Sequence, residues 1–592
     1  MSSDVVDAPE RESLEALEAD LAAMMARLRD IMADGLTEEG LVEVTAIYNN
    51  VAYIFLYLEA NEEHVQYDRL LPWRDAFHRD EDLDRRMLAL LTELVCADPE
   101  AEESRLAYIR QLQDKATQPD SEHERRIEEL LAQAKGTLTD LRSAQSALLA
   151  RLGLPDVASP TAAFYRLISD TPNPGTREKL ARAWNMARDA VHDPLTEKID
   201  RMVTVRREAA AVAGYPTPLA HTLTKCKVGE DEVERFIDGY LPKAVAGYER
   251  LGERVRATLE VDGHVADHFG HFMRTIAAGA RTPLFRLDEC LDFIFQVARS
   301  VFGLRLVRLP SGSEHVIRVR ADSAAGEVGL INFDLWDTNT KTTGANHTKG
   351  LRNRTDWSGL VQTPVAYVSC RFQRGDSDIN QITFQNVHSL FHEFGHAINH
   401  LLIRRRISNR SGLEYLPLER LEFLSMWFEK WVYHPEFESA VTLPGVGADA
   451  VRLCRRLKAL EYQRTYVERA ITAALDFEVH RAAEGGLAAA FATLDDRYGV
   501  ARYCDLADFP VYFTWPMYQA NPGANFAYLW GAADSVEKFL PYENLTLDEI
   551  EKRPGPDDAF ASCLDFALPT HTPGTGAAVD FYDRVADNGG AR

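Results

Sequence analysis

The sequence predicts a mostly α-helical fold with one small β-sheet, and three observations carry that reading. Apolar residues recur with a helical period over roughly the first 310 residues. Between about 314 and 373 the period changes to strand-like alternation, and from about 380 the helical spacing returns. The expected division is a helical region over 1–310 and a second region over 311–592 that holds the sheet and further helices.

The elements follow in order. Leu14, Leu17, Leu21, Met24, Leu28 and Ile31 alternate at spacings of three and four, as one face of a helix requires. The stripe is too short for a dimerising coil and reads as a helix packing within the chain. Helical stretches follow at roughly 40–70, 83–117, 121–152, 178–213, 229–260 and 287–302, separated by signals such as Pro172-Asn173-Pro174-Gly175. No fixed-period repeat is present. The runs 316–320 and 328–336 alternate around an Ala-Ala-Gly link, as a hairpin does, and 365–372 is a third extended run. The stretch 337–359 is polar and rich in Thr, Asn and Gly, which marks a long loop of the kind that tends to be functional. The last residues, after Asp587, are expected to fray.

Composition narrows the function classes. With 46% apolar and 27% charged residues among 592, the chain has the balance of an ordinary folded protein. A formal net charge of −25 repels phosphate backbones and anionic lipid, so no nucleic-acid or membrane partner is expected. The acidic start lacks the basic and apolar regions of a secretory signal, and the apolar run 51–58 falls far short of the ~20 residues that span a bilayer. A cytoplasmic protein is expected, with its seven scattered cysteines as free thiols. The expected assembly is a monomer or a small homo-oligomer.

The chemistry sits in Phe391-His392-Glu393-Phe394-Gly395-His396. His-Glu-x-x-His binds zinc because residues four apart on a helix project from one face. Val387, Leu390, Phe391, Phe394, Ile398, Leu401 and Leu402 fall within one arc of the helix, and His392, Glu393 and His396 lie opposite. The helix therefore buries one face and turns the motif elsewhere. Thr383 suits its N-cap and Arg404 to Arg406 its C-terminal dipole.

Catalytic zinc takes three protein ligands and leaves a position for water. A metzincin needs Gly at 399 and His at 402, where this chain has Asn399 and Leu402, so the third ligand must be a downstream glutamate. Glu414, Glu419, Glu422 and Glu429 are the candidates; the last three lie on an expected helix opening at Pro417, where Glu422, Ser425, Met426 and Glu429 share a face.

The chain resembles the thimet oligopeptidase, neurolysin and oligopeptidase F family of zinc peptidases. It reproduces that family's Phe-His-Glu-Phe-Gly-His run at 391–396. Glu422-x-x-Ser425-x-x-x-Glu429-x-Trp431 is similar to its third-ligand helix, which selects Glu422 over Glu419. Asp334-Leu335-Trp336, Lys341 and Gly344-Ala345 resemble its strand and substrate loop. Weaker echoes lie at 206–214, 475–480 and 528–530, so the likeness covers roughly 160–540 and is specific between 384 and 431.

The resemblance implies a helical ellipsoid with a deep central channel and a small sheet beside the zinc helix, a zincin-like fold of gluzincin type. It implies one zinc per chain on His392, His396 and Glu422, Glu393 as general base, and short peptides as substrates. The region 1–310 would form one channel wall and 311–592 the catalytic region. That family also carries a histidine and tyrosines on a Gly-rich loop near the C-terminus. Counting back from Tyr528-Leu529-Trp530 without a gap, its histidine falls on Pro516 and its first tyrosines on Asn521 and Asn525. Tyr528 alone is retained, as the expected transition-state donor; Tyr518 and Asn525 join Gly344 and Ala345 as candidate substrate contacts. His388 and His400 are expected in supporting or solvent roles, because they would overfill a catalytic site, and His347 could reach substrate from the polar loop.

The expected activity is zinc-dependent hydrolysis of short peptides. Because the loop is rewritten, two alternatives stay open: a zinc hydrolase for a peptide-like metabolite or modified precursor, and an inactive peptide-binding protein.

Overall fold

The computed structural model describes residues 13–60, 64–116, 121–154, 157, 159–280, 283–310, 315–337, 341, 346–373, 380–441, 448–553 and 571–588. Contacts group the chain into two compact units. One holds Met1–Gln118, Leu284–Leu443 and Lys538–His571, the other Pro119–Pro283, Pro444–Glu537 and Thr572–Arg592. The fold is mostly helical with small sheets, as the sequence predicts.

The first unit opens with helices Leu14–Asp34, Glu38–Ala60, His64–His78, Glu81–Glu93 and Pro99–Ala116. Ser13 caps the first of them, and Leu17, Leu21, Met25, Leu28, Ile31 and Met32 are buried. Met25 joins the expected stripe in the core, and Met24 packs half-buried against the same cluster. The stretches expected at 40–70 and 83–117 are each two helices. The second is divided before Pro99, whose ring fits the first turn of a new helix and cannot continue an old one. Helix Glu38–Ala60 is long and apolar enough to cross a bilayer, but 72% of its most apolar window is buried inside the protein, where it is a core helix.

Among the described residues nine strands follow: β1 (Leu284–Arg286), β2 (Arg305–Leu309), β3 (Val316–Ser323), β4 (Gly326–Trp336), β5 (His347–Arg352), β6 (Thr355–Trp357), β7 (Leu360–Gln362), β8 (Val365–Phe372) and β9 (Gln381–Thr383). The main sheet has the order β2-β3-β4-β8-β5; β1 pairs with β9 and β6 with β7. The expected β3–β4 hairpin is present, and β8 runs parallel to β4. The stretch expected as one long polar loop contains β5, which pairs antiparallel with β8 at the sheet's edge. An edge strand needs only one neighbour and no apolar alternation, so its polar composition does not betray it. Tyr53 and Tyr57 of helix Glu38–Ala60 join Leu330, Leu351, Val365 and Tyr367 in one buried cluster.

The second unit is built on the long helices Ser121–Arg151, Pro174–Val212, Glu230–Leu259 and Ala448–Arg481. Tyr462 and Tyr466 of the last stack on each other and meet Tyr582 of helix Ala577–Asn588.

Candidate metal centre

The motif lies on helix Phe384–Leu402, whose Thr383 cap accepts from the Asn386 N–H at 3.2 Å. The apolar face expected from the period is buried: Phe394 meets Phe333 of β4 and Phe428, and Phe391 meets Phe293 and Phe437. Arg405 and Arg406 lie beyond the helix end and pair with Glu103, Asp98 and Glu100, so they tie two segments together instead of capping a dipole.

Glu422 arrives from a broken helix. Leu418–Leu421 is a single turn, Glu422 sits at the break, and Phe423–Lys430 continues. This second piece crosses the motif helix at Gly395 so closely that a Cβ there would stand 2.5 Å from the Leu424 carbonyl oxygen and from Ser425 Cα. Glycine is therefore required between Phe394 and His396. Glu422 Oε2 consequently lies 3.5 Å from His392 Nε2 and 3.4 Å from His396 Nε2. Among the described residues this is the group of three whose ligand atoms converge, all within 4.8 Å of one another. Four donors at the usual zinc bond lengths stand about 3.3 Å apart along a tetrahedral edge. The two nitrogen–oxygen separations thus match a tetrahedral edge. Glu414 instead accepts from Asn353, and Glu419 is buried outside the group.

Neighbouring groups orient these three. His392 Nδ1 donates to Glu429 Oε1 at 2.7 Å, which directs the Nε2 edge of the ring toward Glu422. Glu429 Oε2 also lies 3.5 Å from His388 Nε2 and 3.3 Å from Lys430 Nζ. Ser425 Oγ donates to Glu422 Oε2 at 3.0 Å. Burial disfavours the imidazolium, yet the Glu429 hydrogen bond and the surrounding carboxylates raise His392 to about 9. Burial likewise opposes ionisation of Glu422, but His396, His392 and Ser425 draw it down to about 2.

Glu393 is buried beside the ligands. Thr348 Oγ1 of β5 lies 2.9 Å from its Oε2 and 2.9 Å from its carbonyl oxygen, so one carboxylate oxygen is tethered. Thr348 escaped the sequence reading; the signal was its neighbour in the polar stretch, His347, which β5 also carries. His400 is a core residue whose Nε2 meets the Arg352 carbonyl at 2.8 Å, and His388 serves Glu429. Lys341 reaches Asp334 Oδ1 at 3.0 Å. Gly344 and Ala345 lie outside the described residues.

The remaining expected residues belong to the second unit. Pro516 opens helix Pro516–Ala520, and Asn521 Oδ1 accepts from Lys225 Nζ at 3.1 Å. Tyr518 is buried against Phe513, and Asn525 is buried with its side-chain amide on Asp476. Tyr528, half-buried, stands in the first turn of helix Phe526–Phe539.

A model described as peptidase family M3 matches residues 167–533, more than half of the chain. The chain belongs to peptidase family M3. Oligopeptidase A of Haemophilus influenzae is 23% identical over 428 residues, 65% of this chain and 63% of that protein. Dipeptidyl carboxypeptidase of Salmonella typhimurium is 24% identical over 440 residues, 66% of this chain and 62% of its own length. This M3 chain therefore spans less than two thirds of these curated relatives. A crystal structure from Chlamydophila abortus, assigned as a peptidase, superposes with a TM-score of 0.59 at 13% identity, covering 99% of this chain and 97% of that one, and shares its fold.

Proposed function

We propose that this M3 chain is a cytoplasmic zinc metallopeptidase that hydrolyses short peptides. The observation that supports this most is the convergence of His392, His396 and Glu422, with Glu422 Oε2 3.4–3.5 Å from both imidazole nitrogens, one residue from a tethered carboxylate. His392, His396 and Glu422 would hold one zinc ion, which when bound supplies Lewis acidity toward the scissile carbonyl and water.

The protein's own groups supply the rest. Glu393 takes a proton from the attacking water and returns it to the leaving amine. With Oε2 occupied by Thr348, Oε1 is left for that exchange. Glu429 keeps the His392 ring in one tautomer and orientation. Tyr528 donates to the oxyanion that develops on the carbonyl. Gly344 and Ala345 contact the substrate backbone, while Tyr518 and Asn525 shape the loop from within.

The test is a mixture of short peptides incubated with the zinc-loaded protein, its chelator-treated form and Glu393→Gln, with products mapped by mass spectrometry. Cleavage by the zinc-loaded parent alone is expected, since the amide keeps the shape and loses the proton acceptor. Product lengths then distinguish internal cleavage from release of C-terminal dipeptides, the mode that one relative's name gives. Chelator-resistant cleavage, or none by any form, would end this proposal.

A further inference from the structure

The loop that leads into Tyr528 is gripped at both ends by a buried polar relay. Arg206 Nη2 donates to Gln519 Oε1 at 2.8 Å and to the Tyr518 carbonyl at 3.4 Å. Its Nη1 donates to His480 Nε2 at 3.0 Å. An imidazole that accepts at Nε2 carries its proton on Nδ1, and His480 Nδ1 lies 3.0 Å from both the Asp476 carbonyl and Asp476 Oδ1. The other carboxylate oxygen, Oδ2, accepts from the Asn525 backbone N–H at 3.2 Å and from its side-chain amide at 2.7 Å.

All four residues are buried, Asp476 and His480 completely. Burial lowers Arg206 to about 10 and holds His480 below its ordinary value, so near neutrality a charged guanidinium meets a neutral ring that is itself held by Asp476. Between the two grips the chain passes over His480 at Gly523, whose φ is +85°, and a Cβ there would stand 2.8 Å from Leu219 Cδ1. Asn525 then hands the constraint forward, because its carbonyl accepts the Tyr528 N–H at 3.2 Å in the first turn of the helix.

A buried polar relay adds little stability over an apolar replacement of the same shape. What this one supplies is position. We infer that Arg206, His480 and Asp476 are positioning residues for the peptidase reaction: their relay clamps the 518–525 segment and, through Asn525, fixes the backbone that carries Tyr528. The inference rests on the proposed role of Tyr528.

The experiment uses the zinc-loaded full chain and four variants: Asn525→Asp, Asp476→Asn, the two combined, and Tyr528→Phe. Asn525→Asp sets one carboxylate against another, and the combined variant restores an amide–carboxylate pair in the opposite sense. With zinc content and circular dichroism unchanged, Asn525→Asp lowers kcat about ten- to a hundredfold with KM nearly constant, the size of effect a small misplacement has. Amide hydrogen exchange across 518–525 accelerates, and the combined variant recovers both readouts relative to Asn525→Asp. Should Asn525→Asp fold poorly, Asn525→Ala, which removes the side-chain amide alone, gives the same reading. Parental kcat and exchange in the Asn525 variant beside a loss in Tyr528→Phe overturns the clamp. Loss in the Asn525 variant with faster loop exchange, beside a silent Tyr528→Phe, supports the clamp and removes Tyr528 from the proposed mechanism.

Discussion

Gly395→Ala sets two effects against each other. On an open helix the change from glycine to alanine gains about 1 kcal/mol from propensity. Here the new Cβ would meet the Leu424 carbonyl oxygen and Ser425 Cα at 2.5 Å and Leu424 C at 2.9 Å. All three are backbone atoms, so no change of rotamer relieves the overlap. Ordinary contact begins at 3.4 Å, so the helices must part by about 0.9 Å. The piece displaced begins at Glu422, whose Oε2 stands 3.4 and 3.5 Å from the two imidazole nitrogens. A shift of that size carries the carboxylate to roughly 4.3 Å from them, against the ~3.3 Å that a tetrahedral zinc edge demands. Overpacking costs about 1–3 kcal/mol, which cancels or exceeds the propensity gain. Zinc affinity should therefore fall by at least 10–100-fold, the loss typical when a ligand's orientation is disturbed. Competition against a chromophoric chelator, with thermal unfolding of the metal-free protein alongside, measures both terms. Parental zinc affinity with raised thermal stability would show that the two helices have room to spare and would refute the reasoning.

Glu429→Gln removes the charge that orients His392 and should weaken zinc binding about 10–100-fold with the fold retained, as read by the same competition. Thr348→Val releases one oxygen of Glu393 and should lower kcat about tenfold without loss of zinc, since a tethering hydrogen bond is worth about 1–1.5 kcal/mol; Thr348→Ser should keep most activity. In the metal-free protein His392 is raised from 6.5 to about 9, so it binds a proton more tightly folded than unfolded. Its contribution to stability is full below 6.5 and is lost as pH climbs through about 9. Zinc must displace that proton, so calorimetry at pH 7 in buffers of different ionisation enthalpy should show about one proton released per ion bound, and no release would contradict the His392–Glu429 arrangement.

Much of this was legible because its causes are local. The four-residue spacing of His392 and His396, the apolar arc through Phe394 and Leu401 and the Thr383 cap all lie within one helix. The β3–β4 hairpin declares itself through alternation and a short turn. Glu422 needed a resemblance, because its helix breaks at that very residue and periodicity alone left three glutamates open. Where long-range contacts decide, the sequence is silent. β5 exists because β8 offers it a ladder, so a polar segment looks like loop and Thr348 goes unseen beside Glu393. Asn525 reads as a loop residue, yet its partner Asp476 lies 49 positions earlier. The available hint was Asp476 and His480, four apart on the buried face of one helix.

The interleaving of the two units has a consequence for how the chain is made. Tyr367 Oη closes onto the Ala60 carbonyl across 307 residues, and the cluster around Tyr53 and Tyr57 is complete only when β8 exists. Leu41, Val44, Ile47, Val51, Ile54, Phe55 and Leu58 of helix Glu38–Ala60 pack against its neighbouring N-terminal helices, but at ribosomal rates of about 5–20 residues per second its Tyr53 and Tyr57 face waits roughly 15–60 s for the strands that cover it. Among the described residues this is also the helix long and apolar enough to enter a bilayer. During synthesis the tyrosine-bearing face of this apolar helix thus stays uncovered after its helical neighbours have formed, so its escape from aggregation depends on whatever shields that face at the ribosome.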